Sequence, residues 1–97
     1  MKAIFISYNQ SLTERVMDVL DRNFVRGFSK WELTHGRGTS TGEPHYGSHA
    51  WPAMNSSILA VVEEKKVKTV LTALRKLDNE AKQHGLRAFV WNIEDSI

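Results

Sequence analysis

Cysteine is absent from this 97-residue chain. No disulfide can staple the fold, and no thiolate can ligate a metal or act as a nucleophile. Proline is scarce as well: the two residues, Pro44 and Pro52, fall in one region and leave the remainder free to form uninterrupted helices and strands. No apolar run reaches membrane-spanning length and no leader-like segment is evident. The expectation is therefore a soluble cytoplasmic protein without membrane insertion. Excess charge of one sign is also lacking. A net charge of +2 permits anionic ligands but supplies no concentrated basic stripe, so nucleic acid is not an expected partner. A chain of this length makes one domain, 1–97, that buries only about 60–65% of its unfolded surface.

Against these absences stands a segment of unusual density, residues 34–56. It holds four of the six glycines, both prolines and three of the four histidines. Such a concentration of turn formers excludes a helix or a central strand. Loops longer than about 12–15 residues are uncommon in compact domains and are usually functional or disordered. This one also carries Arg37, Glu43, Tyr46 and Trp51, so it is not built like an inert Gly/Ser linker. Three tryptophans exceed what packing requires in so short a chain, and tryptophan favours interfaces.

The flanking sequence is strongly patterned. Lys2 to Tyr8 has the β-branched and aromatic content of a strand. Ser11-Leu12-Thr13-Glu14 then spells a capping box, with Ser11 as N-cap, and Leu12, Val16, Val19 and Leu20 follow at helical spacing up to Gly27. Phe28 to Leu33 is a second strand, with Trp31 and Leu33 on one face and Phe28 on the other. Ser57 to Val62 is a third. Val67, Val70, Leu71, Leu74, Leu77 and Ala81 define a second helix that Gly85 ends, and Leu86 to Ile93 is the fourth strand.

The order β-α-β-β-α-β predicts an α+β fold: a ferredoxin-like antiparallel sheet, both helices on one face, and the long loop between strands two and three. A sheet covered on one face should alternate apolar and polar residues. Ile58–Val62 and Ala88–Trp91 are apolar on both faces instead. The uncovered face then needs burial, and further copies of the chain are the simplest supply.

Candidate chemistry concentrates in the loop. His45 and His49 lie four apart and His35 opens the segment, a set able to hold Zn, Cu or Ni. That spacing converges only on a helix, and Pro44 and Gly47 oppose one; the plainer reading is three solvated polar residues. Gly36-Arg37-Gly38 lets backbone amides approach an anion while the guanidinium forks onto phosphate or carboxylate. Arg87, beside Gly85, is a candidate second cation, or simply an exposed edge charge. Nucleophilic catalysis needs a hydroxyl or thiol held against a base by a third group, and no such trio is evident, so an enzyme is not expected.

The whole pattern resembles the PII signal-transduction superfamily. The features that carry the resemblance are Trp31-Glu32-Leu33 running into Gly36-Arg37-Gly38, the basic Arg87 ahead of Ala88-Phe89-Val90, and the acidic pair Glu94-Asp95 after the last strand. The resemblance implies a homotrimer that binds adenine nucleotides between subunits, with a long loop that changes shape to engage a regulated protein partner. It also implies departures. The family's glycine-rich phosphate cradle before the last strand is replaced by Gln83-His84-Gly85-Leu86-Arg87, and residues 36–55 contain no glutamine for 2-oxoglutarate. Tyr46 matches the family's modified tyrosine only loosely. The related CutA-type trimers, associated with divalent cations, share the topology. The expected function is thus a trimeric sensor of a small anionic effector held by Gly36, Arg37, Gly38 and Arg87. The alternatives are a divalent-metal-binding trimer using His35, His45 and His49, and an enzyme with the loop as its lid.

Overall fold

Residues Lys2–Asn9 form the first strand, β1. Their alternation sends Ile4, Ile6 and Tyr8 into the core, where all three are fully buried. The structure, a computed structural model, describes residues 1–35 and 54–97. After β1 come α1 (Thr13–Arg22), β2 (Phe28–Thr34), β3 (Asn55–Val62), α2 (Glu64–Glu80) and β4 (Arg87–Asn92), with short 3-10 turns at Gln10–Leu12 and Lys82–His84. The expected order of elements and the α+β class hold. The strands lie in the spatial order β2-β3-β1-β4, and each neighbouring pair is antiparallel.

Register explains where the core sits. Ile4 pairs with Ala60 and Val90, and Ile6 with Ile58 and Ala88, so these residues share one face. Both helices cover that face. Val16 and Leu20 from α1, and Val70, Leu74 and Leu77 from α2, join Ile4, Ile6, Tyr8, Ile58, Ala60 and Val62 in a single cluster. Val67 and Leu71 pack against its margin, as their helical spacing predicts. Fully burying an aliphatic side chain contributes about 1.5–3 kcal/mol, so this layer is the main source of stability. Among the described residues no helix is long and apolar enough to cross a membrane.

Three local expectations are corrected. Ser11 is not the N-cap. The Asn9 carboxamide accepts from the Ser11 amide at 2.9 Å, and the chain enters α1 through the 3-10 turn that the Thr13 hydroxyl closes onto the Gln10 carbonyl at 2.7 Å. The reason is Leu12, which must reach the core and so draws the first turn inward. The second correction concerns the end of α1, which stops at Arg22 rather than running toward Gly27. Val25 N–H bonds to the Leu20 carbonyl at 2.9 Å and Phe24 N–H to the Asp21 carbonyl at 3.1 Å, the paired bonds of a Schellman stop. Its left-handed position is held by Phe24, at φ 56°. Third, β2 carries one residue more than β3 between the Trp31–Ser57 and Thr34–Asn55 pairs. This bulge breaks the alternation that would set Leu33 beside Trp31.

Two stability outcomes follow from these ends. Asn9→Ala should destabilise the protein by about 0.5–2 kcal/mol through loss of the cap, while Ser11→Ala changes little; chemical denaturation of both variants distinguishes the two caps. Phe24 is 69% exposed and makes a left-handed turn that disfavours any Cβ. Phe24→Gly should therefore raise stability by about 1 kcal/mol, measured in the same way.

Candidate functional site

The face of the sheet away from the helices has no covering element among the described residues, and its composition changes along the strands. Register places the residues of this open face in rows. Thr34, Asn55 and Asn9 form the row nearest the β2–β3 connection, and Trp31, Ser57, Ser7 and Arg87 form the next. Then come Ser29, Leu59, Phe5 and Phe89, and finally Val61, Ala3 and Trp91. The end nearest the connection is therefore hydroxyl and amide, and the far end is apolar. Val61, Phe89 and Trp91 remain 42%, 57% and 47% exposed, an apolar patch that a solitary chain leaves in water.

Hydrogen bonds hold the polar end together. The Thr34 and Ser57 hydroxyls lie 2.8 Å apart across β2 and β3. The bulge releases the Glu32 carbonyl from the ladder, and the buried Ser56 hydroxyl donates to it at 2.6 Å, with Gln10 Nε2 at 3.4 Å. Gln10 N–H also donates to the Met54 carbonyl at 2.7 Å. The root of the long connection is thus tied to β3 and to the turn that follows β1.

Arg87 opens β4, the strand at the sheet edge opposite β2. Its Nη1 donates to the Leu86 carbonyl at 2.7 Å, and it borders a cleft of about 180 Å³ that also touches Arg75 and Asp78 of α2. The turn before it is closed off. Gly85 adopts the left-handed conformation at φ 66°, and Leu86 is buried in the core. The cation this edge presents beside the turn is the Arg87 side chain. A larger cleft, about 480 Å³, runs between α1 and α2. Its charges are largely spoken for, because Arg15 pairs with Glu80 and Arg22 with Asp18.

Of the residues singled out from sequence, Gly36, Arg37, Gly38, His45 and His49 lie in 36–53, outside the described residues. His35 is exposed immediately after β2. Among the described residues no cluster of three His, Cys, Asp or Glu is placed to hold a metal. The decisive relation is between the β2 edge, where the long connection begins, and Arg87. Gly36 follows β2 by two residues, and β3 and β1 stand between β2 and β4. Three strand spacings of about 4.8 Å set the β2 and β4 edges roughly 14 Å apart. Sequence reasoning missed the polar row of Ser7, Ser57, Asn55 and Thr34. Its only trace is the run Asn55-Ser56-Ser57 opening an otherwise apolar strand.

Comparison with known proteins agrees with this architecture. The sequence model of the family described as Nitrogen regulatory protein P-II matches residues 1–97. No curated protein sequence matches the chain. Among solved structures, the chain is similar to CPII, a nitrogen regulatory PII-like protein from Thiomonas intermedia K12 bound to ADP, AMP and bicarbonate. The identity is 26% and the TM-score 0.77, covering 95% of this chain and 84% of that one. A second CPII structure, bound to ADP and bicarbonate, shows 25% identity and a TM-score of 0.76 over the same 95% and 84%. A putative PII-like signaling protein from Thermus thermophilus shares the fold at 22% identity and TM-score 0.61, over 95% of this chain and 85% of that one. Residue pattern, strand order and family match agree: the chain belongs to the nitrogen regulatory protein P-II family.

Proposed function

We propose that this protein is a regulator rather than an enzyme, a homotrimer that senses a small anionic effector of the adenine-nucleotide class. The observation that carries the reading is the division of the open face. Its apolar end, with Val61, Phe89 and Trp91 exposed, is suited to burial against further copies. The other reason is that β2, which leads into Gly36 in sequence, and β4, which Arg87 opens, lie at opposite edges of the sheet. Three sheets arranged around an axis with open faces inward bring the β2 edge of one copy to the β4 edge of the next. The glycine-arginine start of the long loop and Arg87 then meet across each boundary, and three equivalent sites arise.

The effector class rests on the chemistry available and on the relatives. Gly36, Arg37 and Gly38 combine backbone amides with a guanidinium, and Arg87 adds a second fork for phosphate or carboxylate. CPII is described as bound to ADP, AMP and bicarbonate, the kind of ligand such a site would accept. The 34–56 segment, with Tyr46 and Trp51, is the part of the chain proposed to meet a protein partner in one effector state. No observation favours a metal at His35, His45 and His49 over this reading.

Two measurements test the proposal. Sedimentation should give one species at three times the chain mass, and Val61→Glu should dissociate it, because a charge buried without a partner costs about 3–5 kcal/mol. A stable wild-type monomer at micromolar concentration would refute the assembly. ADP at about 100 times its dissociation constant should raise the unfolding free energy by about 2.7 kcal/mol. Arg87→Ala should weaken ADP by about 1.5–3 kcal/mol, read by calorimetry, without changing the melting temperature of the free protein much. Absence of any ADP shift would remove the nucleotide reading.

A further inference from the structure

The net charge of this chain is small, but it is unevenly placed. α2 turns one stripe inward, where Val70, Leu74 and Leu77 are buried in the core. The opposite stripe is Lys65, Lys68, Thr72, Arg75, Lys76 and Asn79, which helical spacing sets on one face, and all six are exposed. It holds four of the 13 Lys and Arg and none of the 11 Asp and Glu, so the remainder of the chain is net acidic. The carboxylates of α2 lie off this stripe. Glu64 bridges to Lys2 at 3.5 Å, Glu80 pairs with Arg15, and half-buried Asp78 borders the cleft toward β4. Among the described residues Lys68, Arg75 and Lys76 form no ion pair. Lys65 meets only Glu63, at 3.3 Å, in an exposed pair of the weak kind. Thr69, on the same side of the helix, turns its hydroxyl back to the Lys66 carbonyl at 3.0 Å.

We propose that the outer face of α2 is a docking surface for the phosphate backbone of a nucleic acid, held without regard to base sequence. The composition of the face selects this occupant. A bilayer contact needs apolar side chains at the headgroup boundary, and those of α2 are buried in the core. A protein interface needs an apolar or aromatic centre, which this stripe lacks. Lysine and arginine beside hydroxyl and amide side chains are the groups that phosphate oxygens accept from, and such contacts carry no base information. Dimensions agree. At 1.5 Å per residue, Lys65 and Lys76 stand about 16 Å apart along the helix, over which one strand of a duplex presents about five phosphates. The chain's net charge hides the stripe because acidic residues elsewhere cancel it. Burial of the open sheet face in a trimer leaves α2 outermost, so assembly and docking do not compete.

The test is fluorescence anisotropy of a labelled duplex of about 20 base pairs, titrated with the full-length protein across a salt series. Wild type should bind at about 50 mM salt, and log affinity should fall against log salt with a slope of about −3 to −4. Arg75→Gln and Lys76→Gln should each make that slope shallower by about 1. Changing Lys65, Lys68, Arg75 and Lys76 together to Gln should abolish binding. Glutamine matches their helix propensity, and an unchanged melting curve shows that the fold is kept. Arg26→Gln, which removes an exposed cation off the stripe, should bind like wild type. Two duplexes of unrelated sequence should bind equally. No binding by wild type at that salt, or undiminished binding by the fourfold variant, overturns the inference. Unaltered salt slopes in both single variants overturn it too. Discrimination between the two sequences overturns the backbone contact. Tighter binding, at matched salt, to phosphatidylglycerol vesicles or to poly-glutamate than to the duplex assigns the face to a bilayer or an acidic protein, and overturns it as well. None of these outcomes bears on ADP, so the effector reading stands or falls separately.

Discussion

A four-stranded sheet has two faces, and the described residues supply helices for only one of them. Nearly every other feature of the molecule follows from that shortage. The period of two along β1, β3 and β4 divides their residues between a face that α1 and α2 seal and a face that they do not. On the sealed face the aliphatic side chains find one another and make the core. On the open face the same strands still carry Phe5, Leu59, Val61, Phe89 and Trp91. Apolar area of that kind left in water is the cost that association removes, at about 25 cal/mol per Å² buried.

The open face is also graded. Its apolar rows lie far from the β2–β3 connection and its hydroxyl and amide rows lie next to it. The apolar end is left exposed at Val61, Phe89 and Trp91, whereas at the polar end Asn55 and Ser57 are buried. The proposed ligand site falls where those properties meet, at the sheet edges and level with the polar row. The bulge in β2 belongs to the same design. It adds one residue just before the long connection, and Ser56 and Gln10 then satisfy the carbonyl it frees, so the root of the connection is anchored to β3 and to the turn that follows β1.

Family membership bears on function through these residues rather than through the fold alone. The connection before β4 shows why. Leu86 is drawn into the core, Gly85 takes the left-handed conformation, and the Arg87 guanidinium follows at the edge of the sheet. Arginine binds phosphate with more directional preference than an array of amides and less enclosure.

Much was legible in the order of residues alone. Helical spacing in Val67 to Leu77 and the β-branched content of Lys2 to Tyr8 each report local physics, and both elements stand where their patterns predict, whereas α2 ends at Glu80 and Gly85 closes the 3-10 turn that follows it rather than the helix. The doubled apolarity of Ile58–Val62 likewise announces a second apolar face before any coordinate is known. Cap and bulge were not legible, because both answer to tertiary demands. Burial of Leu12 moves the cap from Ser11 to Asn9, and packing of Val25 on Leu20 places Phe24 where glycine would be expected. The candidate site was legible only as a list of residue types. Which of them share a row, and that β2 and β4 lie at opposite edges, is a matter of strand order and register. Those depend on pairings between residues more than fifty positions apart, such as Ile6 with Ile58 and Ala3 with Trp91, which no local pattern encodes.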